Sequence, residues 1–417
     1  MFKNTLKIRL LSCIMAVLML AGAVLMTACE EKPVEPSETD APDITDAPVT
    51  DAPATDAPAT DAPVTDAPET EAPVVLTEQT IALNKNTKGI KVHGVRNLAS
   101  DTTINVDWSA SGIEFVATCE GDMTFTINSS AVSKSTAACY FRAYVDGEPW
   151  NNGSIPYYTV NGKTNVVLKD IPKGTHTIKL LKVTGYNLAL ADISSVTLTG
   201  YISEEAPADK DIYIEFIGDS ITCAWGTLGH QSGNYTDQDS TLSYAYLLAE
   251  ALDADYSMTA LSGKGLLHSG NTTMNIRDFY GYASKLKDAE NEYDFPRQAD
   301  LIVYNQGAND EKHGIDHAEY KKEFKKWVEF AKKANGEDCK ILFVWNMHNT
   351  NLYKYTKEVF DELGGEAAGY YIYRAKRTQN SAALYHPSVE EHAAYVPGLK
   401  EICEKILATP ITATPEP

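Results

Sequence analysis

Ile212-Tyr213-Ile214-Glu215-Phe216-Ile217-Gly218-Asp219-Ser220 decides how the C-terminal half of this chain folds. The apolar, β-favouring run reads as a buried strand, and Gly-Asp-Ser then turns the chain and leaves a serine at the strand's carboxyl end. Apolar runs recur at 256–260, 301–304 and 341–345, separated by helical periodicity over 241–251 and 318–334. Strands alternating with helices predict a parallel sheet covered on both faces over residues 210–406, with its site at the carboxyl ends of the strands. Leu261-Ser262-Gly263-Lys264-Gly265 and Gly307-Ala308-Asn309-Asp310 follow two of those strands, and His386-Pro387 lies in a late loop. A serine, an amide and an imidazole so placed can support acyl transfer.

Residues 76–205 have another rhythm. Ile104, Val106 and Trp108 alternate, as do Ile113, Phe115 and Ala117, and His176, Ile178 and Leu180. Asp146-Gly147 and Asn161-Gly162 sit between apolar runs and predict tight hairpin turns. Seven or eight short strands with frequent turn signals predict an all-β sandwich of jelly-roll type. Glu204-Glu205-Ala206-Pro207-Ala208-Asp209 reads as a polar connector between the two domains.

The chain opens with Lys3, Lys7 and Arg9 ahead of a mostly apolar stretch that ends in Leu25-Met26-Thr27-Ala28-Cys29. This is the pattern of a secretory signal over residues 1–29. The alternative is an uncleaved single-span anchor, since the stretch approaches spanning length. Residues 30–75 repeat Thr-Asp-Ala-Pro and offer almost nothing large and apolar to bury, so they are read as a disordered linker. Its regularly spaced prolines and mutually repelling carboxylates predict an extended spacer of up to ~3.1 Å per residue. Residues 407–417 are read as a flexible tail.

More than half of the net charge of −21 falls in the linker, where thirteen acidic residues stand against one lysine. The remaining acidity argues against nucleic acid and anionic surfaces as partners. Beyond Cys13 and Cys29, the five cysteines are odd in number and lack paired spacing, so neither a disulfide framework nor a zinc site is predicted. Cys119 and Cys139 are read as separate buried thiols, with a pair as the alternative.

The ordered blocks resemble the SGNH (GDSL) hydrolases, whose pattern matches Ser220, Gly263, Asn309 and His386 in sequence order. More narrowly, the chain is similar to carbohydrate esterase family 2. That likeness rests on the preceding β domain, on Val92-His93-Gly94-Val95-Arg96, on the stretches from Asp107-Trp108-Ser109 and to Ile113-Glu114-Phe115, and on Gly174-Thr175-His176-Thr177-Ile178 with Lys182. The resemblance spans roughly residues 78–405. It implies a jelly roll followed by a flavodoxin-like α/β domain, a Ser220 nucleophile with His386 as base, and an oxyanion hole from the Ser220 and Gly263 N–H groups and the Asn309 amide. No cofactor and no metal are expected.

SGNH enzymes usually carry an Asp three residues before the histidine, where this chain has Ala383. The family 2 resemblance implies that a backbone carbonyl orients the ring instead, and that Asp310 braces a loop. The Cys29 block resembles a bacterial lipobox, which implies lipid anchoring to the outer face of a bacterial membrane. The substrate implied is an acetylated polysaccharide of xylan or mannan type, acted on by a monomer. The alternatives are a lipase, thioesterase or arylesterase on the same fold, or a carbohydrate-binding protein with a decayed site.

Four further residues are candidates. Trp345, at a strand end, is a candidate to stack on a sugar ring, with a core role as the alternative. His392 competes with His386 as base, and the His-Pro block favours His386. His313 and His317 are four apart, yet no third metal ligand is evident beside them.

Overall fold

The structure is a computed structural model that describes residues 75–412, except 95–99, 133–135, 152–155, 230–234, 268–274, 284–291, 346, 348–350 and 379–380. The signal sequence, Cys29, nearly all of the linker, Arg96 and the end of the tail lie outside the described residues.

The N-terminal region is antiparallel β. Its strands are β1 (Glu78–Ala82), β2 (Lys91–His93), β3 (Ile104–Asn105), β4 (Ser111–Ala131), β5 (Cys139–Val145), β6 (Glu148–Trp150), β7 (Tyr158–Val160), β8 (Lys163–Lys182) and β9 (Ala189–Ile202). They pair into one sheet around a long β9-β4-β8 ribbon. The ribbon doubles back on itself. Phe115 and Phe125 lie on the same strand, yet their ring centroids are 6.2 Å apart, whereas ten extended residues would span ~33 Å. The fold falls where the β4–β8 register shifts around Gly121, whose φ is +78°, opposite Asp170 at +54°. The alternating apolar faces of both layers then meet in one core.

Asp146-Gly147 forms the predicted hairpin between β5 and β6, with both residues at positive φ. Asn161-Gly162 departs from expectation. It links β7 to β8, but β7 pairs with β5, so the turn is a corner between strands rather than a hairpin.

The C-terminal region is α/β. β10 (Ile212–Gly218), β11 (Ala254–Ala260), β12 (Leu301–Asn305), β13 (Lys340–Trp345) and β14 (Tyr370–Arg374) form a parallel sheet in the order β11-β10-β12-β13-β14. Its helices are α1 (Tyr244–Ala251), α2 (Ile276–Phe279), α3 (Ala308–Lys312), α4 (His317–Asn335), α5 (Tyr353–Glu362) and α6 (Val389–Ala408). Cores on the two sides of the sheet bury the strands on both faces, which is why they read as nearly continuous apolar runs. The strand order reverses at β10, so a crevice opens between the carboxyl ends of β10 and β12. Ser220 and Asn309 follow those two ends.

The two regions share their cores. Trp108 and Tyr186 belong to the cluster on one side of the parallel sheet, and Ala110 and Leu181 to the cluster on the other. Trp108 Nε1 donates to the Ala283 carbonyl at 2.5 Å, and the Tyr256 hydroxyl to the Ala110 carbonyl at 2.7 Å. Cys119, Cys139, Cys223, Cys339 and Cys403 are buried free thiols, so Cys119 and Cys139 do not pair.

Candidate active site

Ser220 leaves β10 on a tight turn. Gly218 is required there because a Cβ would fall 1.9 Å from the Thr222 hydroxyl oxygen. The Asp219 carboxylate accepts from Ile221 N at 3.0 Å, and the Ser220 carbonyl from Trp225 N at 2.8 Å, so both ends of the turn are pinned. Ser220 is buried to 8% exposure, at the floor of the crevice.

His386 arrives from the loop before α6, a helix capped by the Ser388 side chain. Its Nε2 is 2.7 Å from Ser220 Oγ, and its Nδ1 is 3.1 Å from the Ala383 carbonyl oxygen. A carbonyl can only accept, so the Nδ1 contact places a proton on Nδ1 and leaves Nε2 to accept from the serine hydroxyl. That is the tautomer a general base needs. The loop is tight: Leu384 and Tyr385 both hold positive φ, at 48° and 65°, and Ala382 N reaches the His386 carbonyl at 2.7 Å. Such backbone is strained in residues other than glycine and is held here by the surrounding bonds.

Asn309, near the start of α3, donates through Nδ2 to Asp219 Oδ2 at 3.1 Å and to the Lys264 carbonyl at 3.0 Å. Asp310, fully buried beside it, accepts from Leu266 N at 2.8 Å and Leu267 N at 2.7 Å. It therefore braces the loop that follows β11. Gly263 lies on the same loop with φ +77° and no heavy atom within 4 Å of where a Cβ would stand. Adjacent residues of one block thus tie the serine turn to the glycine loop.

Burial against Asp310, opposed by the hydrogen bonds from Ile221 and Asn309, pushes the Asp219 carboxyl up to about 7. His392 is fully buried, accepts from Tyr244 N at 3.1 Å, and is driven down to about 3 by desolvation and by His386. It is a neutral helix-capping acceptor for α1, bonded away from Ser220.

The structure places three more of the candidate residues and their neighbours. Trp345 stacks on Tyr353 at 4.2 Å with an 8° interplanar angle, and the Arg374 guanidinium lies 5.0 Å over its ring. His313 caps the end of α3 while His317 begins α4 and stacks on Tyr355, so the pair does not share a helix face. Sequence reading also missed Trp225, whose ring meets the His386 imidazole edge to face at 4.7 Å. Its only signal was a tryptophan five residues after the serine.

The model of the GDSL-like Lipase/Acylhydrolase family matches residues 216–405. A cellulase/esterase, CelE, from Acetivibrio thermocellus is 29% identical over 235 residues, covering 54% of this chain and 27% of the relative. An acetylxylan esterase / glucomannan deacetylase from Cellvibrio japonicus is 27% identical over 246 residues, covering 55% of this chain and 68% of the relative. The chain therefore spans about a quarter of the first relative's length and about two thirds of the second's. Among solved structures, a family two carbohydrate esterase from Clostridium thermocellum in complex with cellohexaose superposes with a TM-score of 0.67 at 27% identity, covering 76% of this chain and 99% of the other. A family two esterase from Cellvibrio japonicus, 22% identical with a TM-score of 0.68, covers 79% of this chain and 98% of the other and shares the fold. Residues 216–405, which carry the serine, glycine, asparagine and histidine blocks, are a GDSL-like lipase/acylhydrolase domain, that of a carboxylic ester hydrolase, and the chain is similar to the family two carbohydrate esterases.

Proposed function

We propose that this chain is an extracellular esterase that removes O-acetyl groups from a polysaccharide of xylan or mannan type through an acyl-enzyme on Ser220. The carrying observation is the Ser220 Oγ to His386 Nε2 contact of 2.7 Å, with the ring's other nitrogen occupied by the Ala383 carbonyl. Ser220 attacks the acetyl carbonyl as His386 takes its proton. His386 then protonates the departing sugar hydroxyl, and the same imidazole activates water to release acetate. The Ser220 and Gly263 N–H groups receive the oxyanion, joined by the Asn309 amide as one of its two N–H groups turns from Asp219 or the Lys264 carbonyl. Acetyl-sugar specificity draws on the relatives named as acetylxylan esterase / glucomannan deacetylase and on the cellohexaose complex.

The same reading assigns a jelly-roll topology to residues 76–205, an esterase domain to 210–406, a lipid anchor to Cys29 and a spacer to the Thr-Asp-Ala-Pro repeats. It takes the protein to act as a monomer outside the cell. A panel of acetylated xylan, acetylated glucomannan and long-chain esters tests the substrate. Acetate release from the polysaccharides supports the proposal, whereas preference for the long-chain esters overturns it in favour of a lipase.

A further inference from the structure

Asp237, Gln238, Asp239 and Ser240 are all fully buried, although every side chain among them is polar. Such a run is tolerable only where partners replace the lost water. Most of the partners found come from the β region, while Gln238 Nε2 and Ser240 Oγ have none among the described residues. Asp239 Oδ2 accepts from Arg142 Nη1 at 3.2 Å and from the Tyr157 hydroxyl at 2.8 Å, while Oδ1 accepts from Thr241 N at 2.9 Å. Gln238 Oε1 accepts from Gly185 N at 2.7 Å, and Ser240 N donates to the Val183 carbonyl at 2.8 Å. Tyr140 stacks on Tyr157 at 4.8 Å and meets Tyr235 edge to face at 4.9 Å, closing the clamp with rings.

The clamped segment leads directly to the catalytic pair. Leu228 N donates to the Asp237 carbonyl at 3.4 Å, which ties the 225–228 turn to the buried run. From that turn, Trp225 N bonds the Ser220 carbonyl and the Trp225 ring packs on His386. The Gly226 carbonyl accepts from Ala383 N at 3.3 Å, and Thr227 Oγ1 donates to the Pro387 carbonyl at 3.2 Å. Ser220 and His386 come from separate elements, and this turn touches the chain on either side of the histidine as well as the serine. Catalytic geometry tolerates only ~0.5 Å of error in such placement.

We infer that Arg142 and Tyr157 are positioning residues: by holding Asp239 they fix the 225–228 turn, which sets His386 against Ser220. The β region is then part of the catalytic unit rather than an appended module. The inference rests on the dyad reading of the site.

The test uses the full chain, with 4-nitrophenyl acetate as substrate and thermal unfolding recorded in parallel. Arg142→Ala should lower kcat by ~10-fold with KM within about 2-fold, the pattern of a lost transition-state alignment. Arg142→Lys should recover part of that loss because an ammonium can still reach Asp239, and Tyr157→Phe should lower kcat by a smaller factor. Combined with Trp225→Ala, Arg142→Ala should add little, since both act through one turn. Wild-type kcat in folded Arg142→Ala and Tyr157→Phe, or losses that multiply with Trp225→Ala, would overturn the inference. If Arg142→Ala does not fold, Tyr157→Phe decides alone. A Ser220→Ala control separates the two ideas, because activity surviving in that variant counts against the dyad and not against the clamp.

Discussion

The carbonyl oxygen of Ala383 lies 3.1 Å from Nδ1 of His386, at the sequence position where the SGNH resemblance implies an aspartate. The residue's main chain faces the ring while its Cβ faces Gly226, where an added Cβ would come within 3.0 Å of it. A carbonyl fixes the tautomer as well as an aspartate does. It carries no full charge, so it stabilises the imidazolium less.

A dyad predicts where acids do not matter. Ser220→Ala should abolish hydrolysis in a folded protein. Single alanine substitutions of Asp219, Asp310, Glu390 and Glu391 should each fall short of the ~10⁴ loss that disabling a triad acid produces. Steady-state kinetics on the five variants decides the matter. A loss of that size at one carboxylate, with folding intact, would show that a charged third member exists elsewhere.

Restoring the acid in place should not help. Ala383→Asp directs its new carboxylate toward Gly226, so the expected result is equal or lower kcat and reduced stability from crowding. A clear rise in kcat would mean that the loop can turn the side chain onto Nδ1.

Asn309→Ala should reduce kcat by ~10²–10³ with little change in KM, the effect of losing one oxyanion donor. Part of the loss should come from the turn itself, because Asn309 also ties Asp219 to the Lys264 carbonyl. Asn309→Asp, which keeps the size but not the donor, should be as inactive. Normal turnover in either variant would remove the amide from the oxyanion hole.

Two buried groups set opposite pH trends in stability. Asp219 is raised from 3.8 to about 7 in the folded state, so the folded chain holds a proton that the unfolded chain has released. Its contribution is full below pH 3.8 and is lost as pH rises toward 7. His392 is lowered from 6.5 to about 3, so its contribution is present above pH 6.5 and is lost on acidification toward 3. Asp219→Asn should therefore gain stability relative to the parent between pH 4 and 7, read as unfolding midpoints across pH. A parallel pH trend in both proteins would contradict the raised carboxyl.

The Ser220 and Asn309 blocks were legible because each sits at the end of a local signal. An apolar run followed by Gly-Asp-Ser, or by Gly-Ala-Asn-Asp, announces both the strand and the residue it delivers. β14 and α6 were harder to see. Tyr370-Tyr371-Ile372-Tyr373-Arg374 has no clean alternation, and Pro397-Gly398 interrupts the α6 pattern. Gly398 is there because a Cβ would come within 2.2 Å of the Tyr373 hydroxyl, so the helix passes hard against that strand. Trp225 and the Arg142–Asp239 pair were invisible for a different reason. Their meaning lies in contacts between residues far apart in the chain, which no local pattern encodes.

Trp108 sits in the interior of a region whose strands it does not belong to, with its indole N–H on the Ala283 carbonyl. The polar connector before β10 looks like a natural place to cut, for a protease or for an engineer building chimaeras. A cut there would leave a tryptophan-sized hole in one fragment and an exposed aromatic plug on the other. Shuffling the catalytic half onto a new partner thus means carrying Trp108, Tyr186 and the strands that present them. By this logic the two halves of residues 78–408 should melt and refold as one piece.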